Sequence, residues 1–345
     1  MAGSTMAGAK NDALPQISIV IPTLDRPKDL VELLRTILHQ SCIPFEVIIV
    51  DESRLGSARP ASASFSSEFR SAGCRLKYAR GSGNGSPAAK NLGVGISEGD
   101  ALLFLDDDAL LDKKVVEALA IFLKDHPRVL GVQPKILAPT GPMTKGRLGE
   151  KLENTISKAL MLTYREENRL EVRRSGMSVL PNRLTSVIVT QRLSGCGCCF
   201  RRHIFNKLAF DTNLKRWGFM EDLDFSYRVY RSNSKSLYAI PYAMIVHKSS
   251  AESRLARKSE IYMTTVYWFY VFFKDVFETS IRNLIAFLWA LTGSLIAIAT
   301  GLVIKRKPKQ EWWRLIYMLG SYATALRNLK SILMQRLEFF NMNLR

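Results

Sequence analysis

From Ile17 to Ile136 the chain alternates short apolar runs with helically spaced ones, and this alternation restricts the possible folds more than any other feature. ISIVIP (Ile17 to Pro22), EVIIVDES (Glu46 to Ser53), RLKYA (Arg75 to Ala79), ALLFLDDD (Ala101 to Asp108) and VLGVQPKI (Val129 to Ile136) read as strands. Pro27 to Gln40 places Leu30, Leu33, Leu34, Ile37 and Leu38 at helical spacing. Pro87 to Ser97, with Pro in its first turn, and Asp112 to Lys124 read as further helices. The Ser- and Ala-rich stretch from Arg54 to Gly73 fits no period clearly. Strands alternating with helices predict an α/β fold, a mostly parallel sheet with flanking helices. Ligands of such sheets bind beyond the carboxyl ends of the strands, and chemistry is expected there.

The rest of the chain divides by character. Ala138 to Arg192 is less regular and rich in basic residues. Order returns from Ser194 to Lys248: GCGCCFRR is a strand or turn entering a helix, Glu221 to Arg231 is helical, and SLYAIPYAMIVHK is a strand pair or one bent strand. Beyond Ser250 come long apolar and aromatic runs broken by Lys and Arg. The reading is a disordered leader over 1–15, a catalytic domain over 16–250 and a membrane-associated helical region over 251–345. The leader has no apolar h-region, and five cysteines without framework spacing fit reduced thiols. A net charge of +18 favours polyanionic partners. No nucleic-acid-binding motif accompanies it, so a nucleic-acid partner is not expected.

Three consecutive carboxylates, Asp106, Asp107 and Asp108, close the fourth strand. Like charges so close disfavour ionisation unless a cation joins them, and hard divalent ions take oxygen ligands and bridge to phosphates. At an extended strand end Asp106 and Asp108 share a face and Asp107 points away. An acidic turn before the next helix explains the same residues without metal. Asp51, in VDES, sits where a strand-end carboxylate accepts hydrogen bonds from a base or ribose, or forms a turn. In GFMEDLDF, Glu221 and Asp222 open a helix. A carboxylate so placed suits a general base that removes a hydroxyl proton, although first-turn acidity is common on its own. His247 closes a strand and matters only if the aspartates hold metal. CGCC (Cys196 to Cys199) lacks the second ligand pair that zinc needs. GSGNGSP, around Gly81, Gly83 and Gly85, lacks the context of a phosphate loop and reads as a turn before a helix.

Taken in order, these segments resemble the family-two glycosyltransferases of the GT-A fold. SIVIPTLDRPKDLVELLRTI is similar to that family's first strand and helix, VDES to its nucleotide aspartate, and SPAAKNLGVGISEGDALLFLDDD to its helix and DXD block. SGCGCCFRRHIF and FDTNLKRWGFMEDLDFSYRVYR resemble the acceptor segment and ED motif, and AIPYAMIVHK the strand with a metal-side His. The resemblance covers about Ile17 to Lys248. It implies that Asp51, Lys90 and Asn91 bind the donor nucleotide. Asp106 would face ribose or metal, Asp108 and His247 would hold Mn2+ or Mg2+, and Asp222, beside Glu221, would be the base. Met220 and Glu52 depart from the common pattern, which bears on the acceptor pocket and on the base of the nucleotide.

The resemblance therefore implies a metal-dependent inverting glycosyltransferase acting on a nucleoside-diphosphate sugar and a hydroxyl of a lipid-linked or cell-surface glycan. A polyprenyl-phosphate glycosyltransferase and a catalytically idle membrane scaffold are the rivals. Leu284 to Ile304 carries no charge and, as a helix of 21 residues, spans about 30 Å. YWFYVFF (Tyr267 to Phe273) is too short to span and reads as interfacial or packed on the catalytic domain. Lys305, Arg306, Lys307 and Lys309 suit an anionic lipid surface. Leu315, Leu319, Tyr322, Leu326, Leu329 and Leu333 form one helical stripe. Membrane lipids are thus expected partners, with the catalytic domain cytoplasmic.

Overall fold

The structure, a computed structural model, describes residues 13–137, 147–250, 257–304 and 308–341. Most of the expected leader, and the basic residues 305–307, lie outside the described residues.

The first half is built as the alternation predicts. β1 (Ile17–Thr23), α1 (Pro27–Leu38), β2 (Glu46–Asp51), α2 (Arg59–Ser71), β3 (Arg75–Arg80), α3 (Ser86–Ile96), β4 (Ala101–Phe104), β5 (Ala109–Leu111), α4 (Val115–Asp125) and β6 (Gly131–Leu137) follow in turn. The ambiguous Ser- and Ala-rich stretch is α2, which buries Ala61, Phe65 and Phe69 one turn apart. β4 ends at Phe104, so the three aspartates occupy a turn in which the Ala109 amide donates to the Asp106 carbonyl at 3.1 Å.

The stretch expected to be irregular holds α5 (Arg147–Ala159) and a separate small sheet of β7 (Tyr164–Glu166), β8 (Glu171–Val172) and β9 (Ser178–Pro181). β10 (Ile188–Thr190), β11 (Cys198–Arg201), α6 (Glu221–Ser232) and the single long β12 (Leu237–His247) complete the catalytic part. The main sheet runs β10-β12-β6-β11-β4-β1-β2-β3, with β5 added on β12. β1 to β4 pair in parallel, and β12 is parallel to β6. β11 runs against both its neighbours.

Apolar side chains cover both faces of this sheet. One face packs Leu30, Leu33, Phe69 and Leu119 against β1 and β2. The other carries a cluster of Phe104, Phe200, Phe210 and Phe225, whose Phe210 and Phe225 rings stack at 4.3 Å. Helices on both faces leave only the strand ends open, and β1, β2 and β4 all end on the same side.

α7 (Arg257–Val271) runs into a wider π turn (Phe272–Val276), followed by α8 (Ile281–Ile304), α9 (Pro308–Arg327), α10 (Leu329–Leu333) and α11 (Glu338–Asn341). The aromatic run of α7 is packed rather than interfacial: Tyr267, Phe269, Tyr270 and Phe272 are buried in one cluster with Leu214 and Leu223 of the catalytic part. Each such ring contributes roughly 1.5–3 kcal/mol of burial, so the two parts share a substantial core. α8 differs. Its Ile281–Thr300 segment is long and apolar enough to cross a membrane, and only 22% of it is buried. The expected C-terminal stripe is broken where α9 stops at Arg327, and of its residues only Tyr322 turns fully inward: Leu315 and Leu329 are half-buried, and Leu319, Leu326 and Leu333 are exposed.

Candidate active site

Two adjoining cavities open where the parallel strands end. One, of about 400 Å³, is lined by Thr23, Arg26, Glu52, Gly85 and the three aspartates. The other, of about 610 Å³, is lined by Arg192, Gly195, Glu221 and Asp222, and also by Thr264 of α7, Ser294 of α8 and Met318 of α9. Asp106, Trp217, Phe219, His247 and Glu260 line both.

The turn after β4 separates its carboxylates by task. Asp107 is buried, accepting from the Thr23 hydroxyl at 2.8 Å and from Arg26 at 3.1 Å. Burial pushes it up to about 7 against the pull of Arg26. Asp106 and Asp108 instead face His247, whose Nε2 lies 3.5 Å from Asp106 Oδ2 and 3.1 Å from Asp108 Oδ1. Burial would raise Asp108, but His247 and the Ser250 amide outweigh it and hold the carboxyl below its usual value.

A divalent ion fits these residues. Adjacent ligands of a six-coordinate ion at about 2.1 Å stand about 3 Å apart, close to the two His247 separations. Asp108 Oδ1 is shut off from solvent and, among the described residues, accepts no hydrogen bond of good geometry. Cys196 also has its Sγ within 4.8 Å of the Asp106 and His247 ligand atoms. Burial, with Asp106 and Asp108 nearby, pushes that thiol far up, so an oxygen-seeking ion gains nothing from it.

Asp51 is buried, with both oxygens occupied: Oδ1 accepts from the Ser53 amide at 2.9 Å, and Oδ2 from the Ala58 amide at 3.0 Å and the Tyr78 hydroxyl at 2.9 Å. The carboxylate that lines the cavity is its neighbour Glu52, which accepts from the Gly85 amide at 2.8 Å. Burial raises Glu52 despite amide contacts from residues 82, 83 and 85. Gly85 is left-handed (φ 94°), and a Cβ there would come within 2.2 Å of the Arg216 amide nitrogen. Only glycine lets this loop pass so close.

Lys90 and Glu221 form a buried pair at 2.5 Å. Burial would lower Lys90, but Glu221 and Asp106 outweigh it and hold the ammonium well above its usual range. Burial pushes Glu221 up to about 7 against Lys90 and Ser86. Asn91 faces away: its side-chain amide makes both bonds to the Phe210 backbone, at 2.8 and 2.9 Å, and so docks α3.

Asp222 lies in the larger cavity. Its Oδ2 accepts from Arg192 at 2.6 Å and from the Gly195 amide at 3.1 Å, and its Oδ1 from the Leu223 amide at 2.7 Å. A carboxylate offers about four lone-pair sites, so one remains for a ligand hydroxyl. Arg192 is held in turn by the Ser178 hydroxyl at 2.7 Å.

Arg26, Arg192, Trp217, Phe219 and Glu260 were not singled out from the sequence. Arg26 stands just before the first helical residue, Pro27, and Arg192 in a stretch without period, and nothing local marks either.

Comparison with known proteins agrees with this geometry. The family model described as "Glycosyl transferase family 2" matches residues 18–208, more than half of the chain. A PGL/p-HBAD biosynthesis glycosyltransferase of Mycobacterium tuberculosis (strain ATCC 25618 / H37Rv) is 34% identical over 115 residues, 33% of this chain and 44% of that protein. Uncharacterized glycosyltransferase YwdF of Bacillus subtilis (strain 168) is 35% identical over 105 residues, 30% of this chain and 37% of that protein. The chain thus spans less than half the length of the curated relatives it matches. Among solved structures, S. aureus TarS 1-349 superimposes with a TM-score of 0.53 at 17% identity, covering 89% of this chain and 80% of that one. The mannosyltransferase PcManGT from Pyrobaculum calidifontis, in complex with GDP-Man and Mn2+, gives 0.54 at 15% identity, covering 91% and 88%. At such identities the likeness establishes the fold, which is GT-A.

Proposed function

The chain belongs to glycosyl transferase family 2, and we propose that it moves a sugar, with inversion, from a nucleoside-diphosphate donor to a hydroxyl of a lipid-linked or cell-surface glycan. One observation carries this reading. The smaller cavity, closed by Arg26, Glu52 and Gly85, and the larger one, holding Asp222, meet at Asp106 and His247. A donor in the first and an acceptor in the second would face each other there.

Asp106, Asp108 and His247 would hold Mn2+ or Mg2+. Bound there, the ion supplies Lewis-acid stabilisation to a departing diphosphate. Arg26 adds positive charge on the same side, held by Asp107. Amides of the Gly81–Gly85 loop and the Glu52 carboxylate would contact the nucleoside, with Asp51 shaping the adjoining Ser53–Ala58 loop. Asp222 accepts the acceptor's hydroxyl proton at its remaining lone pair while that oxygen attacks the anomeric carbon. Arg192, Gly195 and Leu223 fix the direction of that lone pair, and such fixed positioning supplies much of the acceleration. Lys90 neutralises Glu221 beneath the site. Solved structures of the same fold with UDP-GlcNAc and with GDP-Man and Mn2+ support a sugar-nucleotide donor.

The acceptor assignment rests on the second cavity. Its floor is made by α7, α8 and α9, and α8 turns Ile281, Ile285, Leu288 and Trp289 outward. A surface of that kind suits a bilayer face, and an acceptor anchored there would reach Asp222 from below. Five free thiols and a nucleotide-sugar donor support a cytoplasmic catalytic part at the membrane.

Calorimetry with UDP-glucose, UDP-N-acetylglucosamine and GDP-mannose tests the reading. One of these should bind in Mn2+ or Mg2+ and be lost in chelator. Asp108→Asn should lose metal-dependent binding and transfer with its circular dichroism unchanged. Full activity in Asp108→Asn would remove it from the metal site.

A further inference from the structure

The C-terminal helical region supplies part of the site. Glu260 lies in the first turn of α7, beyond the family match that ends at residue 208. It lines both cavities. It is exposed, and among the described residues its side chain makes no hydrogen bond or ion pair.

Its place follows from the path of the reaction. On the donor reading above, the diphosphate lies in the smaller cavity and the attacking hydroxyl at Asp222 in the larger. The transferred sugar must therefore sit where the cavities join. Five residues line that junction, and two of them, Asp106 and His247, belong to the metal. Trp217, Phe219 and Glu260 remain. A carboxylate set against a diphosphate would be repelled, whereas against a pyranose it accepts from hydroxyls through two oxygens. Trp217 and Phe219 line the junction with aromatic side chains of the kind that pack on the apolar C–H surface of such a ring, and Phe219 is 45% exposed. A carboxylate beside aromatic faces is the mixture of few polar and several apolar groups that fixes a small ligand's orientation.

We propose that Glu260, with Trp217 and Phe219, forms the subsite for the transferred sugar and selects it by its hydroxyl pattern. Sites built to hydrogen-bond a substrate hydroxyl discriminate strongly against analogues that lack it. The C-terminal helices would then have two tasks: they anchor the chain and they complete the donor site.

The test compares nucleotide with sugar nucleotide in the full chain with Mn2+. Calorimetry would use UDP against UDP-glucose and UDP-N-acetylglucosamine, and GDP against GDP-mannose, for the wild type, Glu260→Gln and Glu260→Ala. The wild type should prefer one sugar nucleotide over its bare nucleotide. Both variants should keep bare-nucleotide affinity within about twofold and lose about tenfold or more for that sugar nucleotide, the effect of one charge-assisted hydrogen bond. Unchanged sugar-nucleotide affinity overturns the proposal. So does an equal loss for both ligands, because a Glu that merely favours the helix N-terminus has no means to distinguish them. A wild type that binds no nucleotide in any form sinks the donor reading itself, and the Glu260 subsite with it.

Discussion

Lys90→Met should expose how strongly the floor of the site depends on one buried ion pair. The side chain is fully buried, and its Nζ meets Glu221 Oε1 at 2.5 Å. Without it, Ser86 is the remaining donor to that oxygen, at 2.9 Å, and Oε2 already has none among the described residues. Removing one member of a buried pair costs about 3–5 kcal/mol. The pH dependence separates this from a plain cavity. Glu221 lies above its ordinary value, at about 7. In the wild type its contribution to stability is therefore present at low pH and lost as pH rises from about 4.5 towards 7. Above that point the wild type ionises Glu221 against a paired cation, and the loss stops. In Lys90→Met the carboxyl stays protonated, so the deficit should be flat below about pH 7 and widen above it by about 1.4 kcal/mol per pH unit. Urea titrations followed by tryptophan fluorescence, at several pH values, measure both arms. Adding Glu221→Gln should recover about 1–3 kcal/mol relative to the sum of the single variants. Additivity within about 0.5 kcal/mol, or a deficit indifferent to pH above 7, would refute the coupled-pair argument.

Two further outcomes follow from the site and the helices. Asp222→Asn keeps the shape and removes the base, so turnover should fall about 10²–10⁴-fold while donor affinity stays, as read by steady-state rates beside calorimetry; near-normal turnover would favour a phosphate acceptor, which needs no base. The full chain should sediment with vesicles containing anionic lipid and resist high salt, and Ile285→Asp with Leu288→Asp should return it to the supernatant; a wild type that stays in solution beside the vesicles ends the membrane reading.

The sheet was legible where both its faces are buried, because such strands are continuous apolar runs. β1, β2, β3 and β6 fall within about two residues of the readings from pattern alone. β4 was drawn too long, because the aspartates continue its run in sequence but leave it in space. α2 was hidden by its serines, although Ala61, Phe65 and Phe69 recur one turn apart. The small sheet over residues 164–181 escaped because strands of two to four residues carry no period. Of the site, Asp106, Asp108, Glu221, Asp222 and His247 do line the same pair of cavities. The partners that aim them, Arg26 and Arg192, come from segments whose composition marks nothing. For Asp51 and Asn91, position alone did not reveal that their polar atoms also hold the Ser53–Ala58 loop and the Phe210 backbone.

The least legible element is the loop that joins these parts. Arg216, Gly218 and Met220 are all left-handed, with φ of 59°, 61° and 68°. For the two residues with a Cβ such a conformation costs of order 1–3 kcal/mol, and no local signal would place Arg or Met there. The tertiary contacts account for it. The Arg216 carbonyl accepts from the Ser86 amide at 2.6 Å, which sets the start of α3 beside the smaller cavity. The Lys215 amide donates to the Tyr267 hydroxyl at 2.9 Å, which ties the loop to α7. The Gly218 carbonyl accepts from the Glu221 amide at 2.6 Å, which opens α6 directly ahead of Asp222. Met220 and Trp217 pack on the aromatic core of α7, so burial opposes the strain. The loop before α3, the start of α6 and the C-terminal region are therefore positioned by one six-residue segment, 215–220, that local propensity argues against. A departure from local rules at the meeting point of three elements is where function is expected to override propensity. It also explains how Met220 is accommodated: its side chain has α7 to pack against.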